Sequence, residues 1–101
     1  MLVLPIKKKW FDMIKSGEKK EEYREIKPYY ASRFFDRYKV DNNGLLTGIQ
    51  IRNVIFRNGY SKNSPTIKCK VEIKIGTGKE KWGAEPNKEY YVLKILSIEG
   101  E

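Results

Sequence analysis

The sequence predicts an α+β domain: a small, mixed, partly closed β-barrel of about five or six strands with one or two helices. Three observations carry that prediction. Strict two-residue alternation runs from Thr66 to Ile75, the pattern of a strand buried on one face. Ile6, Trp10, Met13 and Ile14 recur at helical spacing and stop before Gly17, directly after a short apolar opening. A length of 101 residues allows one modest core and no second, so a single domain over 1–101 is expected.

In chain order, Met1 to Pro5 reads as a short apolar strand and Ile6 to Ser16 as the first helix, with Gly17 at the left-handed cap position. From Lys20 the chain reads as extended. Tyr23 and Ile26 favour strand, and Pro28 biases Lys27 away from helix. Tyr29 to Tyr38 predicts a second helix with Tyr30, Phe34 and Tyr38 on one face. Val40 to Gly48 holds Asp41-Asn42-Asn43-Gly44 and reads as a loop. Ile49 to Arg57 predicts a central strand, because Val54, Ile55 and Phe56 are continuously apolar; Asn58-Gly59 then turns the chain, and Ser61 to Pro65 extends the loop. On the Thr66–Ile75 strand, Ile67, Cys69, Val71, Ile73 and Ile75 should face the core, leaving Lys68, Lys70, Glu72 and Lys74 outside. Gly76-Thr77-Gly78 lacks P-loop spacing and reads as a turn, and Tyr90 to Ile98 supplies the last strand. Neither repeats nor low-complexity segments interrupt this order.

The run Ser16-Gly17-Glu18-Lys19-Lys20-Glu21-Glu22-Tyr23-Arg24 fits that scheme least well. In an extended register Lys20, Glu22, Arg24 and Ile26 share one face and Glu21, Tyr23 and Glu25 the other, so neither face is plainly apolar. A strand buried on one side should alternate polar with apolar. Two readings follow: an exposed edge whose charges form solvated ion pairs, or charges paired inside a cleft.

The spacing Gly17-x-Lys19-x-x-Glu22-x-Arg24 resembles the G-x-K-x-x-E-x-R signature of the ASCH domain, a family of small β-barrels related in fold to the PUA domain of RNA-modifying enzymes. The resemblance extends to the opening strand and helix, the Asn58-Gly59-Tyr60 turn, the Trp82-Gly83-Ala84-Glu85-Pro86 segment and the closing strand. It implies a compact PUA-like barrel of the single-domain bacterial or phage type. In relatives similar to acetylcytidine amidohydrolases, a lysine at the position of Lys19 is assigned to catalysis, with a hydroxyl residue where this chain has Glu22 and a glutamate further along, for which Glu85 is the candidate. The carboxylate of Glu22 departs from that pattern, because beside Lys19 or Arg24 it can form a stable ion pair instead of activating a nucleophile.

Charge and composition narrow the chemistry. With 21 Lys and Arg against 13 Asp and Glu and no histidine, the formal charge of +8 does not change between about pH 6 and 8, so anionic partners are favoured. The absence of histidine and the presence of one cysteine exclude Ser-His and Cys-His dyads, zinc clusters and an internal disulfide. Cys69, in the apolar register, should be a buried thiol. Glu21, Glu22 and Glu25 stand among cations that compete with any metal, and no cofactor is expected. No apolar run reaches the ~18 to 20 residues of a membrane span and no secretory signal opens the chain, so a cytoplasmic protein without a membrane partner is expected. Lys7, Lys8 and Lys9 fall in the first helical turn, where the macrodipole disfavours cations; with the free N–H groups there they would make a phosphate site, unless they are simply a solvated patch. Trp82 either stacks on an unpaired base or plugs the barrel end, and Tyr29, Tyr30 and Tyr60 carry the same two readings.

Three functions compete on these grounds. The first is binding of RNA or a released nucleotide in a cationic cleft, with Gly17, Lys19, Glu22, Arg24, Lys7, Lys8, Lys9 and Trp82 as contacts. A hydrolase acting on a modified nucleoside would use Lys19 as base with Glu22 or Glu85 polarising water, and a metal-dependent ribonuclease is a variant of it. The last is a basic accessory protein with an acidic protein partner.

Overall fold

The computed structural model describes residues 2–34 and 50–99. Apolar and β-branched segments form five strands: β1 (Leu2–Ile6), β2 (Glu21–Arg24), β3 (Gln50–Asn58), β4 (Thr66–Thr77) and β5 (Glu89–Glu99). Two helices, α1 (Lys8–Ser16) and α2 (Pro28–Phe34), and a 3-10 turn at Glu80–Trp82 complete the described elements. The strands lie in the order β1-β3-β4-β5-β2, parallel between β1 and β3 and antiparallel elsewhere. The result is a mixed sheet curled into a half-barrel, α+β as the sequence predicts. A bulge in the β4–β5 ladder helps the curl: Lys70 faces Ser97 and Val71 faces Ile95, so Leu96 is the extra residue and points to solvent.

Leu4, Val54, Phe56, Cys69, Val71 and Leu93 project from the strands into the core, and Phe11, Ile14 and Phe34 close it from the helices. The alternation of β4 holds as far as Ile73. Ile75 is exposed because β4 runs past the end of the core, and the ladder continues through Gly76 opposite Tyr90 and Thr77 opposite Glu89. The expected turn at Gly76 is therefore strand, and the reversal begins at Gly78. Gly78 has its own reason to be glycine: a Cβ there would lie 2.6 Å from the Tyr23 ring and 2.7 Å from the Ala84 Cβ.

Helix α1 begins two residues later than its periodicity suggests. Ile6 stays in β1, opposite Asn58, and its carbonyl accepts the Gly59 N–H at 3.0 Å, so the strand holds it. In α2 the expected face forms, with Tyr30 stacked on Phe34 at 5.5 Å and Phe34 edge-on to Tyr91 at 5.6 Å. Tyr38, the Val40–Gly48 loop and Ile49 lie outside the described residues. No helix among those described is long and apolar enough to cross a membrane.

Sheet order places β1 and β2 at opposite edges, where the curl leaves a seam. β2 pairs with β5 through Glu22 opposite Leu93 and Arg24 opposite Tyr91, two residues of the inner core. The even residues of β2 consequently face the barrel interior at its open seam, while Tyr23 packs outward against Tyr90, Val92 and Ala84.

Candidate functional site

The site is built where α1 hands the chain to β2. Gly17 adopts φ 86°, its N–H bonds the Ile14 carbonyl at 3.1 Å, and the Lys19 N–H folds back onto the Met13 carbonyl at 2.9 Å. That reversal sends the Lys19 side chain inward, where it is only 1% exposed. Its Nζ donates to the Trp82 carbonyl at 2.5 Å and pairs with Glu22 Oε1 at 3.3 Å. The rings of Trp10 and Tyr23 lie 4.7 and 5.0 Å away and present their negative faces to it. Burial pushes the Lys19 pKa below the ordinary lysine value, and the Glu22 carboxylate opposes that shift.

Glu22, 7% exposed, is shared between two cations. Its Oε2 accepts from Arg24 Nη2 at 2.9 Å, and the same nitrogen donates to the Pro5 carbonyl of β1 at 2.9 Å. Arg24 Nη1 reaches the Tyr30 hydroxyl at 3.3 Å, and the buried Nε has no hydrogen-bond partner among the described residues. One guanidinium thus ties both sheet edges to α2. The planar fork does this with three acceptors in different directions, which an ammonium on a flexible stem does not hold as firmly. For Lys19, Glu22 and Arg24 the second of the two readings of the Ser16–Arg24 run holds, with the charges paired inside the barrel mouth, while Glu18 and Lys20 stay exposed.

Above the pair opens a cleft of about 420 Å³. Glu22 and Arg24 form its polar part; Pro5, Ile6 and Trp10 give apolar walls; Asn58, Gly59 and Tyr60 form the opposite lip; and Lys7 and Lys8 stand at its mouth. Tyr60 is 89% exposed. Lys7 occupies the α1 N-cap position without a side-chain cap, and the first turn contains no acidic residue. Lys8 pairs with Asp12 at 2.6 Å, while Lys9 does not line the cleft and rests its Nζ 4.6 Å above the Trp10 ring.

The remaining predicted site residues fall elsewhere. Lys19 is enclosed and does not line the cleft. Gly17 does not line it either; its place in the site is the chain reversal, and the space around it is open. The ring of Trp82 is buried, with Lys79 and Lys81 over it at 4.9 and 4.8 Å, so plugging rather than stacking describes it, and its carbonyl is the part that serves Lys19. Glu85 lines a different groove, where it pairs with Lys88 at 3.4 Å. Among the described residues no group of three or more acidic or cysteine side chains converges to hold a metal ion.

Trp10 and Pro5 escaped sequence reasoning as site residues, whereas Tyr30 was among its stacking candidates. Trp10 falls on the apolar face of α1 like any core residue, and Pro5 contributes a backbone carbonyl that no side-chain pattern announces. Tyr60, next to the Asn58-Gly59 turn, was visible only as one aromatic among several. Compared with protein-family models, curated proteins and solved structures, the chain matches none.

Proposed function

We propose that the cleft between α1 and the barrel binds RNA, or a nucleotide released from it, and that the chain is a cytoplasmic PUA-like binding domain of the ASCH type. The observation that carries this reading is the Glu22–Arg24 pair, Glu22 buried and Arg24 partly so, in a cleft of about 420 Å³ with apolar and aromatic walls and Lys7 and Lys8 at its mouth. The volume falls in the range of small-ligand sites, and a few fixed polar groups among apolar walls suit a base. Arg24 and Glu22 offer a donor and an acceptor held in place by their own hydrogen bonds. An exposed tyrosine on the lip can stack on a base, and the lysines complement phosphate.

The hydrolase reading draws on the lowered pKa of Lys19, but that amine is enclosed and Glu85 stands in another groove, so the geometry supports binding better than turnover. Amide NMR titration with a 5′-mononucleotide and with a short single-stranded RNA in about 150 mM salt tests the reading. Saturable shifts at Lys7, Lys8, Trp10, Glu22, Arg24 and Tyr60 are expected. The double variant Lys7→Gln/Lys8→Gln should weaken RNA binding and reduce its salt slope by about 1 to 2. Unchanged affinity and slope in that variant would overturn the reading.

A further inference from the structure

The cleft has a neighbour. On the other side of Arg24 lies a second groove of about 410 Å³, lined in part by Arg24, Glu25, Lys27, Tyr30, Glu85 and Lys88. Arg24 is the single residue common to the two linings. Its guanidinium sends Nη2 toward Glu22 and Pro5, residues of the first cleft, and Nη1 toward Tyr30, a residue of the second groove. The partition is also braced by Trp10 and Gly83: a Cβ on Gly83 would sit 3.0 Å from the Trp10 ring, so the two walls are in contact.

The linings differ in character. Pro5, Ile6, Trp10 and Tyr60 make the first cleft the more apolar of the two, fit for the faces of a base. In the second groove Arg24, Lys27 and Lys88 face solvent-accessible space beside Glu25 and Glu85. Lys27 approaches Glu25 at a loose 4.0 Å and Lys88 pairs with Glu85 at 3.4 Å, but both lysines are about half exposed and such surface pairs are weak, so both ammonium groups can turn to an incoming anion at little cost. Cations therefore stand on both flanks of the base cleft: Lys7 and Lys8 at one mouth, Lys27 and Lys88 across the Arg24 partition.

We infer that the ligand is a strand and not a free nucleotide: one unstacked base enters the α1 cleft, and the backbone crosses Arg24 so that the next phosphate lies in the Lys27–Lys88 groove. This rests on the binding reading above and narrows it. Single-stranded RNA is commonly recognised with bases splayed out in this way, and two phosphates flanking a held base are what separate a strand from a mononucleotide.

The test compares the Kd of a 5′-mononucleotide with that of a trinucleotide carrying phosphates on both sides of its central base, at about 50 mM salt, for the native chain and for Lys27→Gln/Lys88→Gln. The trinucleotide should bind roughly ten-fold more tightly than the mononucleotide, and the double variant should bring that ratio close to one, as expected when both lysine contacts to the second phosphate are lost. Thermal melting of the variant checks that it is folded. Equal affinity for the two ligands, or a ratio untouched by the double substitution, overturns the strand inference while the base cleft stands. If neither ligand binds the native chain, the binding reading falls and the inference with it; an acidic protein partner then becomes the occupant to seek.

Discussion

Replacing Glu22 by glutamine should cost the fold far more than a surface charge does. The side chain of Lys19 is wholly inaccessible and that of Glu22 is 9% accessible, with 3.3 Å between the charged atoms. At an effective dielectric of about 20 such a pair attracts by about 5 kcal/mol before desolvation is counted, whereas exposed pairs net only about 0 to 1 kcal/mol. Glu22→Gln strands the ammonium among Trp10, Tyr23 and the Trp82 carbonyl, so a loss of about 3 to 5 kcal/mol at pH 7 is expected. The pH dependence makes the prediction specific. Lys19 holds its proton less firmly folded than unfolded, so the unfolded chain binds more protons between the two pKa values. Stability from this group therefore rises as pH climbs toward the unfolded value of 10.5. Without Glu22 the folded pKa falls further and that rise begins at lower pH, so the gap between native and variant should narrow from pH 7 to about 10. Tyr23 and Cys69, both shifted upward mainly by burial, titrate in the alkaline range as well, but they are present in both chains and contribute little to the difference. Urea unfolding followed by tryptophan fluorescence suits the measurement, because Trp10 and Trp82 both contact Lys19. Adding Lys19→Met to the variant should recover part of the loss by removing the stranded charge. A cost below about 1 kcal/mol, or a cost constant from pH 7 to 10, would refute an enclosed Lys19–Glu22 pair.

Other perturbations should divide along equally clear lines. Gly78→Ala should destabilise by about 1 to 3 kcal/mol or more, because its Cβ meets the Tyr23 ring and Ala84; an unchanged melting temperature would contradict that contact. Gly17→Ala meets nothing within 4 Å, so its cost should be the left-handed backbone alone, about 1 to 2 kcal/mol, read in the same melts. Lys7→Gln should leave stability unchanged or raise it by about 0.3 to 1 kcal/mol, since it removes a cation from the positive end of α1, and denaturant titration would expose any loss. Cys69 is buried and its thiol is pushed up to about 11, so at pH 8 it should react with a thiol reagent much more slowly than after unfolding in urea; comparable rates would place it at the surface.

How far the sequence could be read depended on which faces were wet. β4 was legible because one side meets the core and the other water, which forces lysine and apolar residues to alternate. β2 was not, because both of its sides meet protein: Glu22 and Arg24 turn into the barrel mouth, and Tyr23 turns under Ala84 and Tyr90. A charge that satisfies itself inside a seam has the same letter as one solvated outside it. The start of α1 was misplaced because Ile6 suits either element and is decided by Asn58 and Gly59, more than fifty residues away. Likewise the spacing that made Lys19 a contact for an anionic ligand could not show that the Gly17 reversal drives it inward.

That inward turn explains why the site can be both firm and open. A half-barrel whose edge strands do not pair must satisfy the seam by other means, and here one guanidinium does so, with Pro5, Glu22 and Tyr30 as acceptors. Glu22 in turn is held by Lys19, which is anchored on the 3-10 turn through the Trp82 carbonyl. The cleft floor is therefore part of the fold's own closure, and changes at Glu22 or Arg24 should move stability and ligand affinity together. Lys7 and Lys8, at the mouth, take no part in that closure, so their removal should act mainly on affinity, with stability changed only by the small helix-end effect of Lys7 and the exposed Lys8–Asp12 pair. On the binding reading proposed above, a site whose floor and rim separate in this way is pre-organised: the polar groups are already oriented before anything binds, and little ordering is left to oppose association.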